Sequence, residues 1–208
     1  MQLFKFIVDG FVSPGSFAMW AILVIFAGCL ALIIERVWYL FLKCGSKRGV
    51  FMANISKFLK AGDYDKAIKY SRAQGTPLAK GVEVILANRG KGTKAVQKAV
   101  DEVFLTEAPK ISRNIPIMPT LANLATLLGL MGTIYGLMIA FDAVANVPAA
   151  QRAGALATGI SVAMSTTLFG LIAAIPTLLI HGLLATKSDR VIEELDEKTS
   201  KLINLVEE

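Results

Sequence analysis

The sequence predicts an all-α integral membrane protein with three transmembrane helices, and three observations carry that reading. Three long stretches contain no charged side chain; 54% of the 208 residues are hydrophobic and 18% charged; and the positive charge is concentrated between the first and second stretches. Soluble domains carry about 25% charged residues, so this composition disfavours a nucleic-acid binder or a soluble enzyme before any motif is read.

The first stretch, Ser16 to Ile34, reads SFAMWAILVIFAGCLALII, and Trp38 and Tyr39 follow where an interfacial aromatic pair belongs. It is longer than a signal-peptide core, follows a charge-poor start and runs into a basic flank, so it is assigned as a span over 16–42. From Ile115 to Phe141 the only polar side chains are Thr120, Asn123, Thr126, Thr133 and Tyr135, none charged. This gives the second span, 115–143. The third, 153–186, is again free of charge. At about 1.5 Å per residue it is too long for a hydrocarbon core of about 30 Å, and is expected to tilt or to project into the cytoplasm.

Lys43 to Asn114 holds 15 Lys and Arg against 6 Asp and Glu, a surplus of nine positive charges. The positive-inside rule places this segment, 43–114, in the cytoplasm, with 1–15 and the 144–152 loop outside and the 187–208 end inside, hence N-out and C-in. FMANISKFLKAGDYDKAIKYSRAQG, broken at Gly62-Asp63, and then PLAKGVEVILANRG and KAVQKAVDEVFLTEAPKI carry helical apolar spacing, so short helices are predicted to extend the bundle below the membrane. No cluster of catalytic residue types marks an enzymatic domain, and no metal site is expected. The C-terminal tail, with apolar Val191, Ile192, Leu195, Leu202 and Leu205 among mixed charges, reads as the amphipathic end of the third helix. Cys29 and Cys44 lie about 22 Å apart on one helix, too far for a disulfide.

In LLGLMGTIYGLMIAF of the second span, Gly129, Gly132 and Gly136 permit close helix approach. The third span contains GISVAMSTTLFGLIAAIPTLLIHG, with hydroxyls at Ser161, Ser165, Thr166 and Thr167. Bonding back to their own helix explains most of these. Thr167 shares a face with Ala163, Gly170, Ala174 and His181; Thr126 and Thr133 share one with Gly129, Leu137 and Ala140. Each stripe can line a narrow pore or hold a partner helix. Neither contains a carboxylate: the nearest acids are Glu35, which is expected to pair with Arg36 at the inner interface, and Asp142 at the outer end. Ion translocation along the threonines would need a carboxylate from another subunit.

With ERVWYL after the first span, LLGLMGTIYGLMIAF in the second and GISVAMSTTLFGLIAAIP in the third, the chain resembles the TolQ/ExbB/MotA family of ion-driven motor subunits, and within it the three-span TolQ/ExbB branch. The resemblance implies a homopentameric ring in the bacterial inner membrane, its outside the periplasm. Its second and third helices would enclose two copies of a single-span ExbD/TolR-like protein with an intramembrane Asp. It implies Thr133 and Thr167 as the ion-pathway contacts, Thr126, Ala163, Gly170 and Ala174 as further pore-lining positions, and Pro176 as a kink that frees a backbone carbonyl. The transported ion is H+ or Na+, with no cofactor. Where many TolQ/ExbB members have a Glu after the Gly-Ile of the third helix, this chain has Val162. The competing class is a self-sufficient ion channel, in which His181 could titrate, or a passive membrane scaffold.

Overall fold

A computed structural model describes residues 10–11, 16–44 and 48–207, except the side chain of Glu207, and is helical almost throughout. Most of the segment assigned outside the membrane at the N-terminus, 1–15, therefore falls outside the described residues. Seven helices account for most of the chain: α1 (Phe17–Trp38), α2 (Arg48–Lys60), α3 (Tyr64–Gln74), α4 (Pro77–Ala87), α5 (Thr93–Ser112), α6 (Ile117–Ala145) and α7 (Arg152–Glu207). α1 ends in a wide turn over Tyr39–Lys43, closed by the Cys44 N–H donating to the Tyr39 carbonyl at 3.1 Å. The stretches Phe17–Lys60, Thr93–Ala145 and Ala149–Val206 are each long and apolar enough to cross a membrane. The chain divides into two units, Met1–Ile34 with Pro116–Gly182 and Glu35–Ile115 with Leu183–Glu208.

The first unit is a packing of α1, α6 and the first part of α7. α6 buries Ala122, Ala125, Gly129, Gly132, Gly136 and Ala140, a spacing of three and four that puts a continuous strip of small residues on one face. α7 fits into that strip so closely that an added Cβ would collide along its length: at Gly170 with the Ala125 carbonyl oxygen (2.7 Å), at Gly132 with Thr166, at Gly136 with Ala163 and at Gly159 with Ala140. With no hydrophobic force separating helix from lipid, such backbone proximity and its dispersion contacts hold the pair together. α1 presents Ala18, Met19, Ile22, Cys29 and Ile33 inward, and Ile22 packs with Ala125 and Ala173. Pro176 lies within the continuous α7, and the neighbouring Thr177 hydroxyl donates to the Ala173 carbonyl at 2.7 Å.

The second unit has an apolar core built from α2 to α5 and the last turns of α7. Phe51, Ile55, Leu78, Val82, Ile85, Val96 and Val100 meet Leu195, Leu202 and Ile203 there. The breaks between helices follow from local chemistry. After α2, Gly62 takes a left-handed φ of 73° and the Asp63 N–H caps back onto the Phe58 carbonyl at 3.0 Å. α3 ends at left-handed Gly75, and α4 begins with Thr76 accepting from the Ala79 N–H at 3.3 Å and Pro77 in its first turn. α5 ends where Asn114 adopts a φ of 61°, and its side-chain amide donates to Glu35 at 3.2 Å. The expected Glu35–Arg36 ion pair is present at 2.5 Å, and Arg36, itself buried, also donates to the Lys110 carbonyl at 3.1 Å. Glu107, 4% exposed, lies between Lys110 (2.7 Å) and Lys80 (2.9 Å). Burial works against its charge, but the two ammonium groups outweigh burial and hold the carboxyl below its ordinary range. Cys29 and Cys44 are both buried and unpaired.

Candidate functional site

Two hydroxyls meet between α6 and α7. Thr133 and Thr167, both half-buried, hydrogen-bond to each other across the helix pair. The approach that brings them together is set by Gly129: a Cβ there would stand 3.2 Å from the Thr166 carbonyl oxygen and the Thr167 Cα. The bare Gly129 carbonyl accepts from Thr133 on its own helix at 3.1 Å and from Thr167 on the other at 3.0 Å, while Thr133 also reaches the Ala163 carbonyl at 3.3 Å.

A hydroxyl has one hydrogen to donate and two lone pairs to accept with. The pair therefore has two hydrogens: one lies between the oxygens, and the other goes to a backbone carbonyl. Either threonine can take either role, because each is within reach of Gly129. The pair can thus donate to a carboxylate or accept from a carboxylic acid by rotating hydroxyls, without changing its own charge. It cannot itself take up an ion by titration.

The other sequence-predicted positions are distributed along the same helices. Thr126 is two turns away along α6, half-buried, and its hydroxyl donates back to the Ala122 carbonyl at 3.2 Å, so it is not brought to the pair. Ala163 is fully buried and supplies the carbonyl shared by Thr133 and Thr166. Gly170 packs on the Ala125 backbone, and Ala174 is buried. Gly129, Gly132 and Gly136 all lie in the helix contact. Val162 lines a cavity of about 300 Å³ at the far end of the α6–α7 contact, with Gly136, Ala140, Ala155, Thr158 and Gly159. Among the described residues no three His, Cys, Asp or Glu side chains are grouped as metal ligands.

Thr166 is the residue that sequence reasoning missed. Own-helix bonding accounts for part of its role, since it donates to the Ala163 carbonyl at 2.7 Å. It also sits 3.4 Å from the Gly129 carbonyl and fills the space left by Gly132. The available signal was the glycine strip itself: a threonine next to Thr167 on the helix that faces three glycines is the natural filler.

With three apolar helices and this close α6–α7 contact, the chain has the features of a multi-pass integral membrane protein. Residues 70–197 match the MotA/TolQ/ExbB proton channel family, and the chain belongs to that family. An ExbB-like biopolymer transport protein of Synechocystis is 26% identical over 174 residues, covering 83% of this chain and 82% of that protein. An ExbB homologue of Methanothermobacter thermautotrophicus is 24% identical over 164 residues, 78% of this chain and 57% of the relative. The Tol-Pal system protein TolQ of Pseudomonas aeruginosa is 30% identical over 99 residues, 48% of this chain and 42% of that protein.

Proposed function

We propose that the chain is the ring subunit of an ion-driven motor in the bacterial inner membrane, oriented N-out and C-in. Five copies surround two copies of a single-span ExbD/TolR-like partner and conduct protons, or Na+, together with it. The spans are those assigned from the sequence, with 43–114 and 187–208 in the cytoplasm. The observation that carries the reading is the Thr133–Thr167 pair in a chain whose spans carry acids only at their ends, Glu35 and Asp142. The hydroxyls can bind a carboxyl group in either protonation state, and the chain supplies no such group at that place. The names of the relatives support a partner: TolQ is called a component of a Tol-Pal system, and the ExbB-type proteins are called biopolymer transport proteins.

In the proposed cycle a partner Asp, ionised, takes hydrogen bonds from Thr133 and Thr167 of one subunit. An ionised carboxylate in an apolar setting is costly without such donors, whereas the neutral acid passes an apolar rim at much lower cost. Protonation from outside therefore releases it, and the second partner helix, its Asp ionised by loss of a proton to the cytoplasm, engages another subunit, since two helices cannot contact five equivalent sites equally. Repetition rotates the inner pair and performs work on the envelope, on transport or on motility.

The test is reconstitution in liposomes with an imposed ion gradient. Flux is expected only when this chain and the single-span partner are present together, and neutralising the partner Asp should remove it. Flux from this chain alone would establish the self-sufficient channel instead, and no flux in either case would point to a passive scaffold.

A further inference from the structure

Five aromatic side chains of the first unit form two groups within a band about 7 Å deep along the helices, Tyr135 at its outer edge and Phe169 at its inner edge. Phe17 meets Tyr135 edge to face at 5.3 Å between ring centroids, and Phe11 meets both Trp20 and Phe169 at 5.3 Å. The band is fixed independently by the backbone, because a Cβ on Gly132 would lie 3.1 Å from that of Ala18. Phe17, Trp20 and Tyr135 are exposed at the surface of the chain. Aromatic rings of this kind concentrate where hydrocarbon gives way to headgroups.

Counting along each helix from this band to the first charged residue or the helix start gives nearly one length. On α1, Phe17 to Glu35 is about 27 Å; on α6, Tyr135 back to Ile117, where the helix begins after the turn that holds Arg113, is about 27 Å; on α7, Phe169 to Lys187 is about 27 Å. All three agree with a hydrocarbon core of about 30 Å. In the other direction the helices do not end together: α6 continues about 15 Å to Ala145, and α7 begins about 25 Å earlier at Arg152.

We propose that this aromatic cluster is the belt at which the chain meets the lipid headgroups on the side of the α6–α7 loop. The ends of α6 and α7 beyond it then stand clear of the hydrocarbon. The surplus length of the uncharged third run projects outward from the bilayer rather than into the cytoplasm, narrowing the second and third spans to roughly 115–135 and 164–186, the register set by Gly136 against Ala163. The Thr133–Thr167 pair lies close to the belt, and the open cavity lined by Gly136, Ala140, Gly159 and Val162 lies beyond the lipid. The inference rests on the membrane reading above and deepens it by giving the depth of the proposed ion site.

Only two tryptophans, Trp20 and Trp38, are present in the chain, and both are exposed on α1. The experiment reconstitutes the full chain as W38F in vesicles of phosphatidylcholine brominated either near the glycerol or near the acyl-chain end, and reads quenching of Trp20; W38Y serves where W38F does not insert. Stronger quenching by the shallow bromines is expected. A bilayer centred on the uncharged runs would instead place Trp20, level with Phe169, near the midplane, so stronger quenching by the deep bromines overturns the proposal. No quenching of Trp20 at either depth also overturns it. The W20F variant separates the two readings, since unquenched Trp38 as well would mean that the membrane reading itself has failed.

Discussion

At the scale of single residues, the threonine pair makes a claim about function that is separable from stability. Interhelical hydrogen bonds within membrane proteins contribute on average about 0.6 kcal/mol, because the alternative state also finds partners. Thr167→Val keeps the shape and removes the hydroxyl. It is expected to lower the stability of the chain by about 1 kcal/mol or less and to leave assembly intact while abolishing gradient-driven work. Assembly followed by native electrophoresis, with flux measured on the same preparation, checks this. Loss of the assembly would make Thr167 structural.

Glu107 carries a second residue-scale prediction, on pH. Its carboxyl is held below the ordinary range in the folded chain, so the ion triad with Lys80 and Lys110 contributes fully above the ordinary carboxyl pKa. That contribution is lost as the pH falls through the lowered value. Glu107→Gln should therefore cost about 1–2 kcal/mol near neutral pH and little under acid conditions. Thermal unfolding of the variant and parent across acidic to neutral pH measures the difference, and a pH-independent gap would show that charge is not what Glu107 contributes.

At the scale of elements, the α6–α7 contact depends on glycines whose missing Cβ atoms are needed for different reasons. At Gly170 the obstacle is backbone, the Ala125 carbonyl, which cannot swing aside. Gly170→Ala should push the helices apart and cost about 1–3 kcal/mol, with disruption of the Thr133–Thr167 pair. Gly28 on α1 has nothing within 4 Å of an added Cβ, and Gly28→Ala should be tolerated without loss. Comparing the two by thermal unfolding in detergent, with activity as a second readout, tests the zipper; equal effects would contradict it.

Much of this was legible in the sequence. The Gly62-Asp63 break, the helices on either side of it, the Glu35–Arg36 pair and the close approach at Gly129, Gly132 and Gly136 follow from spacing and local propensity. The faces containing Ala163, Gly170 and Ala174 could be read as open stripes, but periodicity alone does not say which neighbour a face meets. All three are buried or packed against a backbone, and Ala163 serves through its carbonyl, which no side-chain pattern reports. The Asn114 turn and its bond to Glu35 join residues far apart in the chain, and for that reason neither was visible in advance.

At the scale of the whole molecule, the proposed function makes the chain one half of an ion path. The chain offers paired hydroxyls in a closely packed helix pair, and its acids near the spans, Glu35 and Asp142, lie at the ends of the uncharged stretches. In the proposed motor the titratable carboxyl comes from a second protein, and a ring allows one or two such helices to be surrounded by repeated hydroxyl sites. The most direct measurement is native mass spectrometry of this chain co-expressed with a single-span protein that has an Asp in its membrane helix, recording the subunit ratio. The account predicts five copies of this chain to two of the partner. A ring that retains no partner, or a chain that remains monomeric, would contradict it.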